Sequence, residues 1–336
     1  MNDAVMVTGG AGYIGSHIVF ALRETGHKTV VLDDLSTGEK SVIPAGVAFV
    51  QADCGDAGAV ASAIQEHRVG SIIHCAGSIR VEESVSDPLK YYANNTANSR
   101  TLIETCVREK VKRVLFSSTA AVYGVPEKMP IDVATELRPI NPYGRSKLMT
   151  EIMLADASSA YGLRYGALRY FNVAGADQQG RSGQMGPFVS HLIRRALHTH
   201  LGAYSKIEVF GTDWPTKDGT CIRDYVHVSD LATAHVLCLD HLIKGGDNIV
   251  ANCGYGHGFS VREVLRAVES VTGRALPIID APRRAGDPPA LVADARWLRK
   301  TLGWTPRFDD LETIVRDALH WEEKYVSDRG GLRRKA

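Results

Sequence analysis

The chain has 336 residues, 44% of them apolar and 23% charged, with 39 Lys and Arg set against 38 Asp and Glu. That length suits about two domains, and the apolar share excludes a disordered chain. A formal charge of +1 argues against a nucleic-acid binder working through a broad basic face, but not against a local anion pocket.

The N-terminus has no basic segment followed by a cleavable apolar one and enters a strand at once, so no signal peptide is expected. Strands are predicted over 4–7, 28–32, 47–51, 71–75, 113–117 and 166–171. All are unbroken runs rich in Val, Ile and Leu, as in strands buried on both faces. Helices are predicted between them, over 15–25, 57–67, 89–109 and 143–161. Such alternation implies a doubly wound parallel α/β sheet. Past Gly175 the texture changes. A Gly- and Gln-rich loop (175–186) precedes a helix over 187–201, a strand over 207–210 and a turn-rich stretch from Trp214. Helices follow over 228–243, 261–272 and 309–325, and a basic tail over 329–336 ends the chain. The second half therefore reads as a smaller mixed α/β domain that covers a ligand held by the first. No run approaches about 18 apolar residues, so no membrane span is expected. The six cysteines, Cys54, Cys75, Cys106, Cys221, Cys238 and Cys253, are scattered without a C-x-x-C pair, which predicts reduced thiols in the cytoplasm.

Gly9, Gly12 and Gly15 form G-x-x-G-x-x-G between the first strand and the first helix. Glycines let the backbone approach a pyrophosphate, and the helix N-terminus offers free N–H groups. Asp33 ends the second strand, 18 residues past Gly15. An acid there binds the ribose hydroxyls of NAD and repels a 2′-phosphate, whereas a turn or helix cap is its plainer use. On spacing alone, Asp53-Cys54 fits an adenine contact or a surface turn equally well.

Tyr143 and Lys147 begin a helix at i and i+4 and so share one face. Free Tyr has a pKa of about 10, and a nearby ammonium together with a nicotinamide charge would favour the phenolate. The pair reads as a general base tuned towards neutral pH, against the bland alternative of an exposed helix pair. Thr119, at the carboxyl end of the fifth strand, stands where doubly wound folds bind ligands and is placed to relay a sugar proton to Tyr143. His198-x-His200 puts its imidazoles on different helix faces with no third ligand in reach, so no metal site is expected and the stretch reads as solvated.

With these motifs the chain resembles the extended short-chain dehydrogenase/reductase superfamily, and within it the family of UDP-glucose 4-epimerases. The resemblance runs nearly end to end. It rests on the glycine loop, Asp33-Asp34-Leu35, His74-Cys75-Ala76-Gly77, Tyr91-Tyr92-Ala93-Asn94-Asn95, residues 117–124, 142–147 and 168–175, and the second-half motifs 209–213, 218–228 and 283–287. It implies a Rossmann domain over 1–175, to which segments near 224–250 return, and an interleaved UDP-sugar domain over 176–336. It implies bound NAD, contacted by Gly9, Gly12, Tyr13, Ile14, Gly15, Asp33, Asp34, Leu35, Ser36, Asp53, Cys54, Cys75, Ala76, Gly77, Asn95, Ser117, Tyr143, Lys147 and Phe171. Thr119 and Tyr143 would take the proton of the sugar 4-hydroxyl while Lys147 holds the nicotinamide ribose. Hydride would leave C4, and the 4-keto sugar would turn about its UDP anchor and recover hydride on its other face. Tyr170, Asn172, His191, Leu192, Val209, Phe210, Arg223, Arg284, Asp287 and Leu291 would line the UDP-sugar pocket, with the two guanidiniums on the diphosphate. A homodimer through the 89–109 and 143–161 helices is also implied.

Three positions depart from the family pattern. Ser78-Ile79-Arg80 stands where a Leu-Lys pair is usual, which displaces the basic cofactor contact. His191-Leu192 replaces Asn-Leu. Leu291 is intermediate between the bulky Tyr that excludes N-acetylated sugars and the small residues that admit them, so UDP-N-acetylhexosamines stay open as substrates, as do UDP-pentoses. A 4,6-dehydratase would need an acid after Thr119, where Ala120 and Ala121 stand. A non-catalytic NAD-binding protein would tolerate loss of Tyr143 and Lys147, and both are present.

Overall fold

The computed structural model describes residues 3–186, 189–284 and 287–329. Its first half runs β1 (Ala4–Thr8), α1 (Tyr13–Glu24), β2 (Thr29–Asp33), β3 (Ala48–Gln51), α2 (Ala57–His67), β4 (Val69–His74), α3 (Val81–Ser86), α4 (Pro88–Tyr91), α5 (Asn98–Arg108), β5 (Arg113–Thr119), α6 (Pro142–Tyr161) and β6 (Arg164–Tyr170). The second half adds β7 (Asn172–Ala174), α7 (Leu192–His200), β8 (Ile207–Phe210), β9 (Ile222–Arg223), β10 (Tyr225–His227), α8 (Val228–Ile243) and β11 (Ile249–Cys253). It ends with β12 (Phe259–Ser260), α9 (Val261–Thr272), β13 (Ile278–Ala281), β14 (Ala290–Leu291), α10 (Arg296–Leu302) and α11 (Leu311–Ser327).

Seven strands make one sheet in the order β11-β6-β5-β4-β1-β2-β3, every neighbouring pair parallel. Alternation along β1 divides the core. Val5 and Val7 pack with Ile18, Val19 and Leu22 of α1 and with α8, whereas Ala4 and Met6 face Val60 of α2, Leu102 of α5 and Leu154 of α6. Both faces are thus covered, as unbroken apolar strands require. Strand order reverses between β1 and β4, so the loops leaving these two strands border the crevice where doubly wound sheets take their ligands. The second half contributes three small sheets: β7 with β10, β8 with β13, and β12-β9-β14.

Four expectations need correction. The sheet has a seventh strand, β11, fed by α8, whose run Ile-Val-Ala-Asn-Cys is broken by a polar residue and does not read as an unbroken apolar strand. The single helix expected over 89–109 is α4, a π-helical segment at Tyr92–Ala97, and α5. The wide turn buries Asn95 and aims it at the loop after β4. The helix expected over 187–201 is α7 alone, with Pro187 and Phe188 outside the described residues, as is the basic tail beyond Arg329. His198 is not solvated: it is buried, with Nε2 2.7 Å from Glu322 of α11, beside the Arg194–Glu322 ion pair.

Candidate active site

A cleft of about 900 Å3 lies along the carboxyl ends of the strands, between the sheet and the second-half loops. At one end is the glycine loop. Gly9 has φ +70°, and a Cβ there would sit 2.7 Å from the Ala76 nitrogen; a Cβ on Gly15 would sit 2.1 Å from the Gly9 carbonyl oxygen. A side chain at Gly9 would fill the gap to the loop after β4, and one at Gly15 the gap between α1 and the glycine loop. The N-cap of α1 is Gly12, with no side chain capping the helix, so its first N–H groups face the cleft. Asp33 accepts from the amides of Ala11 (2.9 Å) and Leu35 (2.8 Å) with opposite carboxylate oxygens, and burial holds its carboxyl above the usual range. Asp34, Ser36, Asp53, Cys54, Cys75, Ala76 and Gly77 also line this end, with Tyr13 and Ile14. An exposed backbone cradle for phosphate next to a carboxylate for a ribose diol fits a dinucleotide.

Not every residue assigned to this end reaches the cleft. Leu35 contributes a backbone turn at φ 61°. Asn95 is buried and grips the backbone of Ser78 from both sides, accepting from its N–H at 2.7 Å and donating to its carbonyl at 2.9 Å. Ser117 stands just behind the lining, its hydroxyl 3.0 Å from His235 Nε2 of α8 and next to Cys75 and Tyr170, which do line the cleft. Ile79 and Arg80 do line the cleft, with Glu83 and Lys90; Glu83 accepts from Lys90 Nζ at 2.8 Å and lies 3.6 Å from Arg80.

Thr119, Tyr143, Lys147, Tyr170 and Phe171 gather at the other end of the cleft. Asn141 caps α6 by accepting from Gly144 N–H at 2.8 Å, and Pro142 opens the helix, so Tyr143 and Lys147 stand on its first two turns. The Thr119 hydroxyl stands beside the Tyr143 phenol, where it favours the phenolate. Lys147 is buried and donates to the Ser117 carbonyl at 2.9 Å, with its ammonium 4.6 Å from the Phe116 ring centre. Burial pushes this lysine down to about 8, partly opposed by Cys75 and Glu151. The expected depression of Tyr143 is not a property of the chain alone. Burial raises its phenol, and only the neighbouring Thr119 hydroxyl opposes that. Stabilising the phenolate therefore calls for a positive charge brought by a ligand.

Of the sugar-pocket residues, Tyr170, Asn172 and His191 line the cleft, and Leu192 lines a small cavity behind it. Burial holds the His191 imidazole below the usual histidine range. Phe210 carries the Arg284 guanidinium 3.9 Å over its ring, on β8 beside the buried Val209. Arg284 also lies 3.7 Å from Glu82 of α3, which brings this group to the rim formed by Ile79, Arg80 and Glu83. Arg223 of β9 pairs with Leu291 of β14, donates to the Pro288 carbonyl at 2.9 Å and lies 3.5 Å from Asp287. Leu291 packs on the cluster containing Phe171. Ala285 and Gly286 lie outside the described residues. Sequence reasoning passed over Gln184, Met185 and Gly186, a wall of the cleft that reads only as a Gly- and Gln-rich loop.

A family model for the NAD dependent epimerase/dehydratase family matches residues 5–254, so the chain belongs to that family. It is 56% identical over 329 residues to a UDP-glucose 4-epimerase of Azospirillum brasilense, covering 98% of this chain and 94% of that one. The solved UDP-glucose 4-epimerase from Brucella ovis in complex with NAD superposes with a TM-score of 0.92 at 46% identity, over 95% of this chain and 98% of the other. The UDP-Glc/GlcNAc 4-epimerase from Campylobacter jejuni superposes with a TM-score of 0.84 at 45% identity, over 96% and 99%.

Proposed function

We propose that this member of the NAD dependent epimerase/dehydratase family inverts C4 of a UDP-hexose, interconverting UDP-glucose and UDP-galactose with NAD bound along the glycine loop. The observation that carries the reading is the gathering of Thr119, Tyr143 and the buried Lys147 in the same cleft as the glycine loop and Asp33. The 56% identity to a UDP-glucose 4-epimerase supports the reaction, and the NAD-bound neighbour supports the cofactor. Bound NAD supplies a reversible hydride acceptor and, when oxidised, a positive charge.

The chain's own part is proton movement and anchoring. The Tyr143 oxygen takes the 4-hydroxyl proton, directly or through Thr119, and gives it back after the 4-keto sugar has turned. Lys147, charged near neutral pH, orients the nicotinamide ribose and adds a positive field. Arg223 and Arg284 hold the diphosphate, exchanging their contacts with Asp287 and Glu82 for phosphate oxygens. Fixing the far end of the substrate leaves the sugar free to turn, which the inversion requires. Asp33 favours NAD over NADP. Ala120 and Ala121 place no acid beside Thr119, which disfavours dehydration.

A cofactor-binding unit over 1–175, with an interleaved sugar-nucleotide unit over 176–336, goes with this reading. So does a homodimer through the helical segments at 89–109 and 143–161, where Met149 and Ile152 are exposed, in a cytoplasmic enzyme. Among the described residues, no helix is long and apolar enough to cross a membrane. The test supplies UDP-galactose, UDP-N-acetylgalactosamine and UDP-xylose side by side and follows products by NMR. C4-inverted product from UDP-galactose, abolished in Tyr143→Phe with NAD still bound, is expected. Near-normal turnover by that variant overturns the mechanism.

A further inference from the structure

Three consecutive residues of β5 each face one stripe of α6. The Ser117 carbonyl accepts from Lys147 Nζ at 2.9 Å, the Ser118 hydroxyl donates to the Glu151 carboxylate, and Thr119 stands beside Tyr143. Tyr143, Lys147 and Glu151 are i, i+4 and i+8, a single helix face. The outer two contacts belong to the proton-transfer site. The middle one has no part in it so far.

Glu151 and Ser118 are both buried. Sheet register sets Arg169 of β6 directly beside Ser118, so both side chains face α6 and meet at the same carboxylate. Arg169 grips it through Nε, 3.1 Å from each oxygen, and through Nη2 at 2.6 Å. Its Nη1 donates to the Tyr123 hydroxyl at 3.0 Å and the Val133 carbonyl at 3.2 Å, and Tyr123 donates to Asn252 of β11 at 2.7 Å. Thr119 is therefore braced before and after, by Ser118 and by Tyr123, through one anchored carboxylate. A proton relay needs its oxygens within hydrogen-bond reach, and a misplacement of about 1 Å costs on the order of a hundredfold in rate.

We propose that Glu151, held by Arg169 and bonded to Ser118, is a positioning residue that docks the Thr119 end of β5 in register on the Tyr143–Lys147 face of α6. This rests on the function proposed above. Glu151 also faces Lys147 along the helix. The other groups around that ammonium are the Cys54 and Cys75 thiols from the loops after β3 and β4, His74 of β4, the Phe116 ring and Ser117 carbonyl of β5, and Tyr143 of α6 itself. Glu151 is the carboxylate of the set and keeps Lys147 protonated to higher pH.

The test compares Ser118→Ala, Glu151→Gln and Tyr143→Phe for kcat, KM, bound NAD and melting temperature between pH 6 and 10. Ser118→Ala keeps the ion pair and the charge. It should lower kcat about tenfold, with KM, NAD content and the pH profile as in the parent protein. Glu151→Gln should in addition move the alkaline limb of kcat to lower pH, because Lys147 loses its counter-charge. Parental kcat in Ser118→Ala, or a fall that only tracks loss of folded protein, overturns the positioning role and leaves a structural ion pair. If Glu151→Gln does not fold, Ser118→Ala decides alone. Retained turnover in Tyr143→Phe is a separate failure, that of the function itself.

Discussion

Lys147 is held against its own stability, and its removal should show that directly. Burial lowers it from 10.5 to about 8. At about 1.36 kcal/mol per pKa unit, that gap is about 3.4 kcal/mol of cost for keeping the ammonium charged in the folded protein. Lys147→Met removes this cost and also one hydrogen bond to the Ser117 carbonyl, worth about 1 kcal/mol. The variant should therefore be about 2 kcal/mol more stable at pH 7 and melt about 3 °C higher, while turnover falls at least about a hundredfold. Between about 8 and 10.5 the unfolded chain binds the proton that the folded chain has released. The wild type accordingly gains stability from this group as pH rises through that window, and the advantage of Lys147→Met shrinks. Differential scanning calorimetry at pH 6.5, 7.5, 8.5 and 9.5, with cofactor content matched between the proteins, follows both effects. A variant that melts below the parent at pH 7, or keeps a constant advantage to pH 9.5, refutes the reasoning.

Other expectations concern the cofactor and the sugar. Gly15→Ala puts a methyl group 2.1 Å from the Gly9 carbonyl oxygen, so the loop must open by more than about 1 Å. NAD retained after gel filtration should fall at least about tenfold, about 1.4 kcal/mol, and full retention would contradict the backbone cradle. Tyr325→Phe removes a hydroxyl that accepts from Gly186 N–H at 3.1 Å and donates to Glu39 at 2.7 Å, joining the loop after β2 to the Met185–Gly186 wall. NAD dissociation, followed by dilution, should quicken about tenfold for the loss of one to two such bonds; an unchanged rate would show the clasp to be idle. Leu291→Tyr adds a ring beside the cluster of Phe171. It should cut turnover of UDP-N-acetylgalactosamine relative to UDP-galactose about tenfold in a competition assay, and an unchanged ratio would remove Leu291 from sugar selection.

By itself the sequence determined the parallel sheet, because unbroken apolar strands alternating with amphipathic helices have few other ways to bury both faces. It also located the glycine loop, Asp33 and the Tyr143–Lys147 pair, whose meaning lies in local spacing along one turn or one helix face. The seventh strand was marked only weakly, by the short run Ile-Val-Ala-Asn-Cys between Gly245-Gly246 and Gly254. Tertiary structure decided what spacing cannot carry. Glu151 reads as one more polar helix residue until register brings Ser118 and Arg169 to the same carboxylate from two strands. His198 reads as solvated until Glu322, 124 positions later, meets it inside the fold. Tyr143 reads as a depressed phenol until burial, which depends on every element packed around it, is seen to raise it. Desolvation and long-range pairing are set by neighbours distant in the chain, so they became legible only once the chain had folded.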